Sequence, residues 1–186
     1  MNVKTVLPLV ALMGITRVHH FGSAFLLPDA SLAVFFLAGL FFSSRNLFVA
    51  LLVEVGLLDY VAITQFNVSD FCISSAYVFL IPTYFAMWFG GRFSANFKSM
   101  QGTELTLSIS AMATLFVATT SAFLISNGSF YWLSDKILAR DFSNYVTQMT
   151  HYYLPYMGYT LMYAIFGFAV FKLFKRLPNL MAQKTA

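Results

Sequence analysis

The 186-residue chain is 59% hydrophobic, 18% aromatic and 10% charged, with a formal net charge of +4 and a mean hydropathy of +0.74. Soluble domains carry about 25% charged residues, so this composition excludes an ordinary water-soluble domain and points to lipid as the solvent. The pI of about 9.2 is no sign of nucleic-acid binding, because the basic residues are spread along the chain in a topological pattern.

A spanning helix needs about 20 mostly apolar residues, and six of them would use about 120 residues and leave short links. The expectation is an all-α integral membrane protein, one six-helix transmembrane domain over residues 1–186. The predicted spans are residues 3–25, 29–42, 47–63, 73–89, 105–125 and 152–174. The first apolar run continues into Arg17, His19 and His20 without a small-residue cleavage site, which argues against a signal peptide. Pro28-Asp29 suits a helix start, where a missing N–H is harmless and an acid favours the positive end of the dipole. Pro82 inside the fourth span predicts a kink, and Trp88 near its end predicts an interfacial anchor.

On this map Lys4, Arg45, Arg92, Lys98, Lys172, Lys175, Arg176 and Lys184 fall at the two termini and in the second and fourth links. All of these lie on one face. The opposite links hold Asp29, Asp70, Asp135 and Asp141 against Lys136 and Arg140. The positive-inside rule then places both termini in the cytoplasm and turns the link carrying Cys72, the only cysteine, outward. The fifth link, residues 126–151, is expected to be the longest. Its Tyr131, Trp132, Phe142 and Tyr145 read either as an aromatic belt at the membrane surface or as a lid. Asn67-Val-Ser and Asn127-Gly-Ser match a glycosylation pattern too short to carry weight.

Polar groups at membrane depth are the functional signal. Arg17 lies about 20 Å along the first helix from Lys4, and His20 about 24 Å; Glu54 and Asp59 lie about 14 and 21 Å along the third from Arg45. Ionisable groups so deep should face a bundle interior or a wet cavity, so Arg17 is predicted to pair with Glu54 or Asp59. Such a pair can simply hold two helices together, but the asymmetry of the whole set predicts an outward-opening polar cavity closed below by apolar packing. Its wall of thiol, imidazole, carboxylate, amide and ring suits a large, mostly uncharged ligand with a flat conjugated face and hydrogen-bonding rim groups. A lone cysteine is either a small buried hydrophobe or a group that binds or reacts. One cysteine cannot supply the usual zinc thiolate set. His19 and His20 point about 100° apart on a helix and cannot grip one ion together. No glycine-rich phosphate loop is present, so ATP hydrolysis is not housed here.

At His19-His20-Phe21-Gly22, Leu27-Pro28-Asp29-Ala30-Ser31, Asp59-Tyr60 and Asp70-Phe71-Cys72 through Tyr77, the chain resembles the BtuM family. These are solitary substrate-binding S-components of energy-coupling factor (ECF) type vitamin transporters, specific for cobalamin. The resemblance covers most of the chain and implies an S-component-like bundle in the cytoplasmic (inner) membrane that transports and is not an enzyme. It implies that Cys72 is an axial ligand to the cobalt of cobalamin and that His20, Asp59 and Tyr77 line the cavity. Arg140 is a weaker carry-over because the local match is poor. It also implies a partner, an ECF energy-coupling module of a transmembrane subunit and ATPases. The Ala-xxx-Ala docking face common on helix one of S-components is not clean here, where Ala11, Met13 and Gly14 stand.

The chemistry agrees with the resemblance. A free thiol has a pKa near about 8.5, but a bound cation deprotonates a coordinating thiol, and soft sulfur suits a transition-metal centre. Thiolate ligation on one face of cyanocobalamin is expected to promote loss of cyanide from the other. Two alternatives compete: a haem-binding redox subunit using His20 and His151, and a small structural subunit in which Cys72 has no role.

Overall fold

The computed structural model describes residues 3–17, 27–66, 69–71, 73–101, 104–138 and 140–184. These are almost entirely helical, in the order α1 (Val3–Arg17), α2 (Ser31–Phe41), α3 (Arg45–Phe66), a 3-10 turn at Ser75–Phe79, α4 (Leu80–Gln101), α5 (Glu104–Leu133) and α6 (Phe142–Lys184). Among the described residues no strand occurs. Three stretches are long and apolar enough to cross a membrane by length and composition: Arg45–Phe66, Ser108–Leu133 and Phe142–Leu173. Their outer faces are apolar and bare, with Val49, Val53 and Leu57 on α3, Phe116 and Val117 on α5, and Ile165 and Phe166 on α6 all exposed. So much bare apolar surface is unfavourable in water and natural in lipid.

The second predicted span, residues 29–42, is in fact a half-length helix. At 11 residues α2 is about 16 Å long, roughly half a hydrocarbon core. It is central: Ala33 to Leu40 are all buried, and α2 packs against α1, α3, α4 and α6. A helix apolar all round belongs in an interior. Asp29 precedes it as expected, its Oδ1 accepting from the Ser31 N–H at 2.9 Å and from the Ser31 hydroxyl at 2.6 Å. At the other end Ser43 takes φ 48°, and its N–H donates to the Ala38 carbonyl at 3.1 Å. The chain there turns directly into α3.

Two glycines set the crossing of α2 and α4. A Cβ on Gly39 would collide with the carbonyl oxygen of Trp88, and one on Gly91 with the carbonyl oxygen of Phe36. Backbones therefore touch backbones, the small-residue packing that substitutes for hydrophobic drive inside a membrane. Beyond the crossing, the Ser94 and Thr114 hydroxyls bond α4 to α5.

Several sequence expectations are corrected here. Trp88 is not an interfacial anchor: it is 4% exposed, against Phe48 and Phe85 with the Arg92 guanidinium 5.4 Å from its ring centre. Pro82 lies in the first turn of α4, where 3-10 geometry gives way to α, so it marks a start and not a mid-helix kink. The long fifth link is short, because α5 continues to Leu133 and α6 begins at Phe142. Asp141 makes that early start possible, its carboxylate accepting from the N–H groups of Ser143 and Asn144 at 2.9 and 3.2 Å, a helix N-cap. Tyr131 holds the remaining link, donating to the Asp141 carbonyl at 2.8 Å and accepting from its N–H at 3.1 Å. The lid reading of residues 126–151 therefore gives way to helical wall.

Replacing Gly91 by Val should lower stability by about 1–3 kcal/mol through overpacking. Gly56→Ala, where an added Cβ meets nothing within 4 Å, should be neutral or stabilising by a few tenths to about 1 kcal/mol. Thermal unfolding in detergent, followed by size-exclusion recovery, checks the contrast.

Candidate functional site, a polar-floored cavity

A cavity of about 660 Å³ lies where α1, α3 and α5 finish and α2, α4 and α6 begin. Arg45 at the start of α3 and Arg92 and Lys172 late in α4 and α6 belong to the opposite end. Arg17, Asp29, Asp59 and Tyr84 form the floor, and Phe71, Ile73, Phe130, Tyr131, Tyr152 and Tyr156 stand among the wall residues.

The floor is one hydrogen-bonded cluster centred on Arg17. Its Nε and Nη2 donate to the two carboxylate oxygens of Asp59, both at 2.7 Å, the bidentate geometry for which guanidinium and carboxylate match. Nη1 donates to Asp29 Oδ2 at 2.9 Å, to the Ser31 hydroxyl at 3.1 Å and to the Tyr84 hydroxyl at 2.9 Å. Tyr77 adds its hydroxyl to Asp59 Oδ2 at 2.6 Å. The Tyr84 ring stacks on Phe35, centroids 4.4 Å apart, which anchors the cluster in the core below. Arg17 is 4% exposed and Asp59 6%, so the charges stand out of water and depend on each other.

Each member arrives by a local reason. Arg17 is the last described residue of α1, and Asp59 falls on the buried face of α3 with Leu51, Val55 and Ala62, spaced at helical intervals. Ser74 starts the 3-10 turn by accepting from the Ala76 N–H at 3.3 Å, and this turn carries Tyr77. The Ser75 hydroxyl donates to the Leu133 carbonyl at 2.7 Å, tying the turn to the end of α5. Tyr77 and Tyr84 are seven residues apart, two helical turns, and meet the same cluster.

Of the residues singled out in sequence, Asp59 and Tyr77 line the cavity together, and Arg17 pairs with Asp59, not with Glu54. Glu54 is half-buried on α3 and has no ion pair among the described residues. Arg140 stands apart: it is exposed, and its Nη2 donates to the Ser134 carbonyl at 2.6 Å within the fifth link. Cys72 and His20 lie outside the described residues. Phe71 and Ile73, on either side of Cys72 in the chain, both line the cavity. His151 is exposed on α6, edge-on to Tyr152, and is not among the lining residues. No group of three metal-ligating side chains occurs among the described residues.

Sequence reasoning did not assign Asp29, Tyr84, Asn127 or Tyr156 to the cavity. Asp29 was legible as a helix-start acid, and Tyr84 through its seven-residue spacing from Tyr77. Asn127 and Tyr156 were hidden by the misplaced ends of α5 and α6.

Arg17→Met should lose about 3–5 kcal/mol, because it leaves the buried Asp59 without its cation. Tyr77→Phe removes one hydrogen bond to a charged group and should lose about 1.5–3 kcal/mol. The order of the two apparent melting temperatures in detergent, Arg17→Met well below Tyr77→Phe, checks the central place of the guanidinium.

Compared with known proteins, the chain matches no protein-family model and has no significant match among curated proteins.

Proposed function

We propose that this chain is a substrate-binding membrane component for cobalamin uptake, which captures the corrinoid in an outward-facing cavity with Cys72 as the axial cobalt ligand. In this reading six helices span the cytoplasmic membrane, both termini are cytoplasmic, and an ECF-type energy-coupling module is the partner that drives release inward. The observation that carries it is that Phe71 and Ile73, the neighbours of Cys72, line the same hollow as Asp59 and Tyr77. The hollow of about 660 Å³ is of the size usual for drug-sized ligands, about 300–1,000 Å³, so in the proposal it takes one part of the larger corrinoid while the remainder stands in its open mouth. The aromatic wall suits a flat conjugated macrocycle, and the hydroxyls and amides suit its rim.

Further support comes from the distribution of charge. The cavity lies away from Arg45, Arg92 and Lys172, so the positive-inside rule turns it outward. The 11-residue length of α2 is the main departure from six complete spans; in the proposal it is an inner helix supported by its longer neighbours. In the proposal the Cys72 thiol loses its proton to solvent and the thiolate takes the axial face that the nucleotide base of cyanocobalamin gives up; it donates electron density there and favours departure of cyanide, with its electron pair, from the other face. Cavity polar groups, Asp59 and Tyr77 among them, meet the rim.

Expression in a cell that lacks its own cobalamin importer should restore cobalamin-dependent growth, and Cys72→Ser should lose most of that rescue. Protein purified with cyanocobalamin should show the absorbance of a cyanide-free, sulfur-ligated corrinoid, whereas Cys72→Ser should retain the cyanide-bound spectrum or bind nothing. Equal rescue and equal spectra for the two proteins would overturn the role of Cys72.

A further inference from the structure

Most hydrogen-bonding groups of the floor and of the α4 side are engaged within the protein. Arg17 holds Asp59, Asp29, Ser31 and Tyr84, Tyr77 donates to Asp59, and the Thr83 hydroxyl donates to the Phe79 carbonyl at 2.7 Å. On α6 the opposite holds. Gln148, Tyr152 and Tyr156 all line the cavity, and the amide of the first and the hydroxyls of the other two make no hydrogen bond to any described residue.

These three residues are four apart in the chain, so they stand on one face of α6 at intervals of about 6 Å along its axis. Exposure falls along the row: Gln148 and Tyr152 are exposed, and Tyr156 is half-buried. The Tyr156 ring rests edge-on against the buried Phe123, centroids 5.1 Å apart, which fixes where its hydroxyl can reach. Tyr153 turns the other way, sharing a hydrogen bond of 2.8 Å with the Thr120 hydroxyl of α5, and is not among the lining residues. The register of α6 therefore spends one tyrosine hydroxyl on the bundle and leaves two for the hollow. A tyrosine hydroxyl and a glutamine amide each donate and accept, so the row can meet an amide N–H or an amide carbonyl.

We propose that Gln148, Tyr152 and Tyr156 are specificity-determining residues: one edge of the ligand, carrying a row of neutral carboxamide groups, lies along α6 and is read by these three side chains. The inference deepens the cobalamin reading and rests on it, since the amide rim of the corrinoid supplies that edge. Tyr156, the innermost, matters most. A ligand amide that loses its partner there is left unsatisfied away from water, which costs about fivefold to a hundredfold in affinity. At Tyr152 water takes the place of the hydroxyl, and the loss is about twofold to fivefold.

The test is equilibrium binding of cyanocobalamin to the full chain in detergent, with the apparent melting temperature of the ligand-free protein measured alongside. Tyr156→Phe should bind at least about fivefold more weakly than wild type and melt at the same temperature without ligand, because its hydroxyl has no protein partner to lose. Tyr152→Phe should show the same pattern at smaller size. Tyr153→Phe, which removes the bond to Thr120, should show the reverse, a lower melting temperature and an unchanged affinity. Wild-type affinity in both Tyr156→Phe and Tyr152→Phe overturns the inference and leaves the cobalamin reading standing. A loss of affinity in Tyr153→Phe as large as that in Tyr156→Phe also overturns it, since the effect would then come from a loosened α6. So does a lower ligand-free melting temperature in Tyr156→Phe, because the hydroxyl would be holding the fold and not the ligand. If wild type itself does not bind cyanocobalamin, the cobalamin reading fails, and this inference with it.

Discussion

A guanidinium held out of water must be surrounded by acceptors, and that requirement organises one whole end of this molecule. Arg17 on α1 draws in Asp29 and Ser31 from the start of α2, Asp59 from α3, and Tyr84 from α4. Tyr77 joins through Asp59. Four helices and a 3-10 turn are thereby fixed at one depth. Apolar packing alone is a weak guide there, because inside a membrane lipid tails compete with side chains on equal terms. Hydrogen bonds among charged groups are directional, and with no water to replace a lost partner they set position as well as proximity.

The same cluster explains why there is a hollow at all. The central helix α2 is only 11 residues long, and its neighbours α3, α4 and α6 run to 22, 22 and 43. Asp29 and Leu32, at the start of α2, line the cavity, and the later turns of α3 and α5 and the first turns of α6 form walls around them. A short helix inside a ring of long ones leaves space at its end. Arg17 and its acceptors make that space polar at the bottom, and the rings of Phe130, Tyr131 and Tyr156 make it apolar at the sides. Below the floor, the close approach of α2 and α4 at Gly39 and Gly91 and the stack of Tyr84 on Phe35 leave a tightly packed interior.

The proposed ligand suits this division of the cavity. A corrinoid has a conjugated ring that would lie against the aromatic wall and an amide rim that would meet the polar groups. Arg17 is already hydrogen-bonded to Asp59, Asp29, Ser31 and Tyr84, so the floor is ordered before any ligand arrives.

Much of this was readable from the chain. Low charge and high apolar content point to helices in lipid, and the depth of Arg17, Glu54 and Asp59 along their helices argues that Arg17 faces inward to meet one of the two acids. Helical periodicity also places Asp59 on the buried side of α3. Local pattern does not decide where a helix ends when both states are apolar enough. Asn127-Gly128-Ser129 reads as a break, yet α5 continues through it because packing and helical hydrogen bonds outweigh a propensity loss of about 1 kcal/mol at a glycine. Trp88 reads as an interface residue, and only the approach of α4 to α2 and α3 puts it in the core. Hydropathy measures how apolar a segment is, but not how much of it is surrounded, so α2 reads as a span and proves to be a buried half-helix. Composition and spacing pointed to lipid as the solvent and determined the helical secondary structure and that Arg17 would pair with an acid. Which of two acids took the arginine, and which side chains line the hollow expected beside them, followed only from helices packing in three dimensions, because those outcomes depend on distances between residues far apart in the chain.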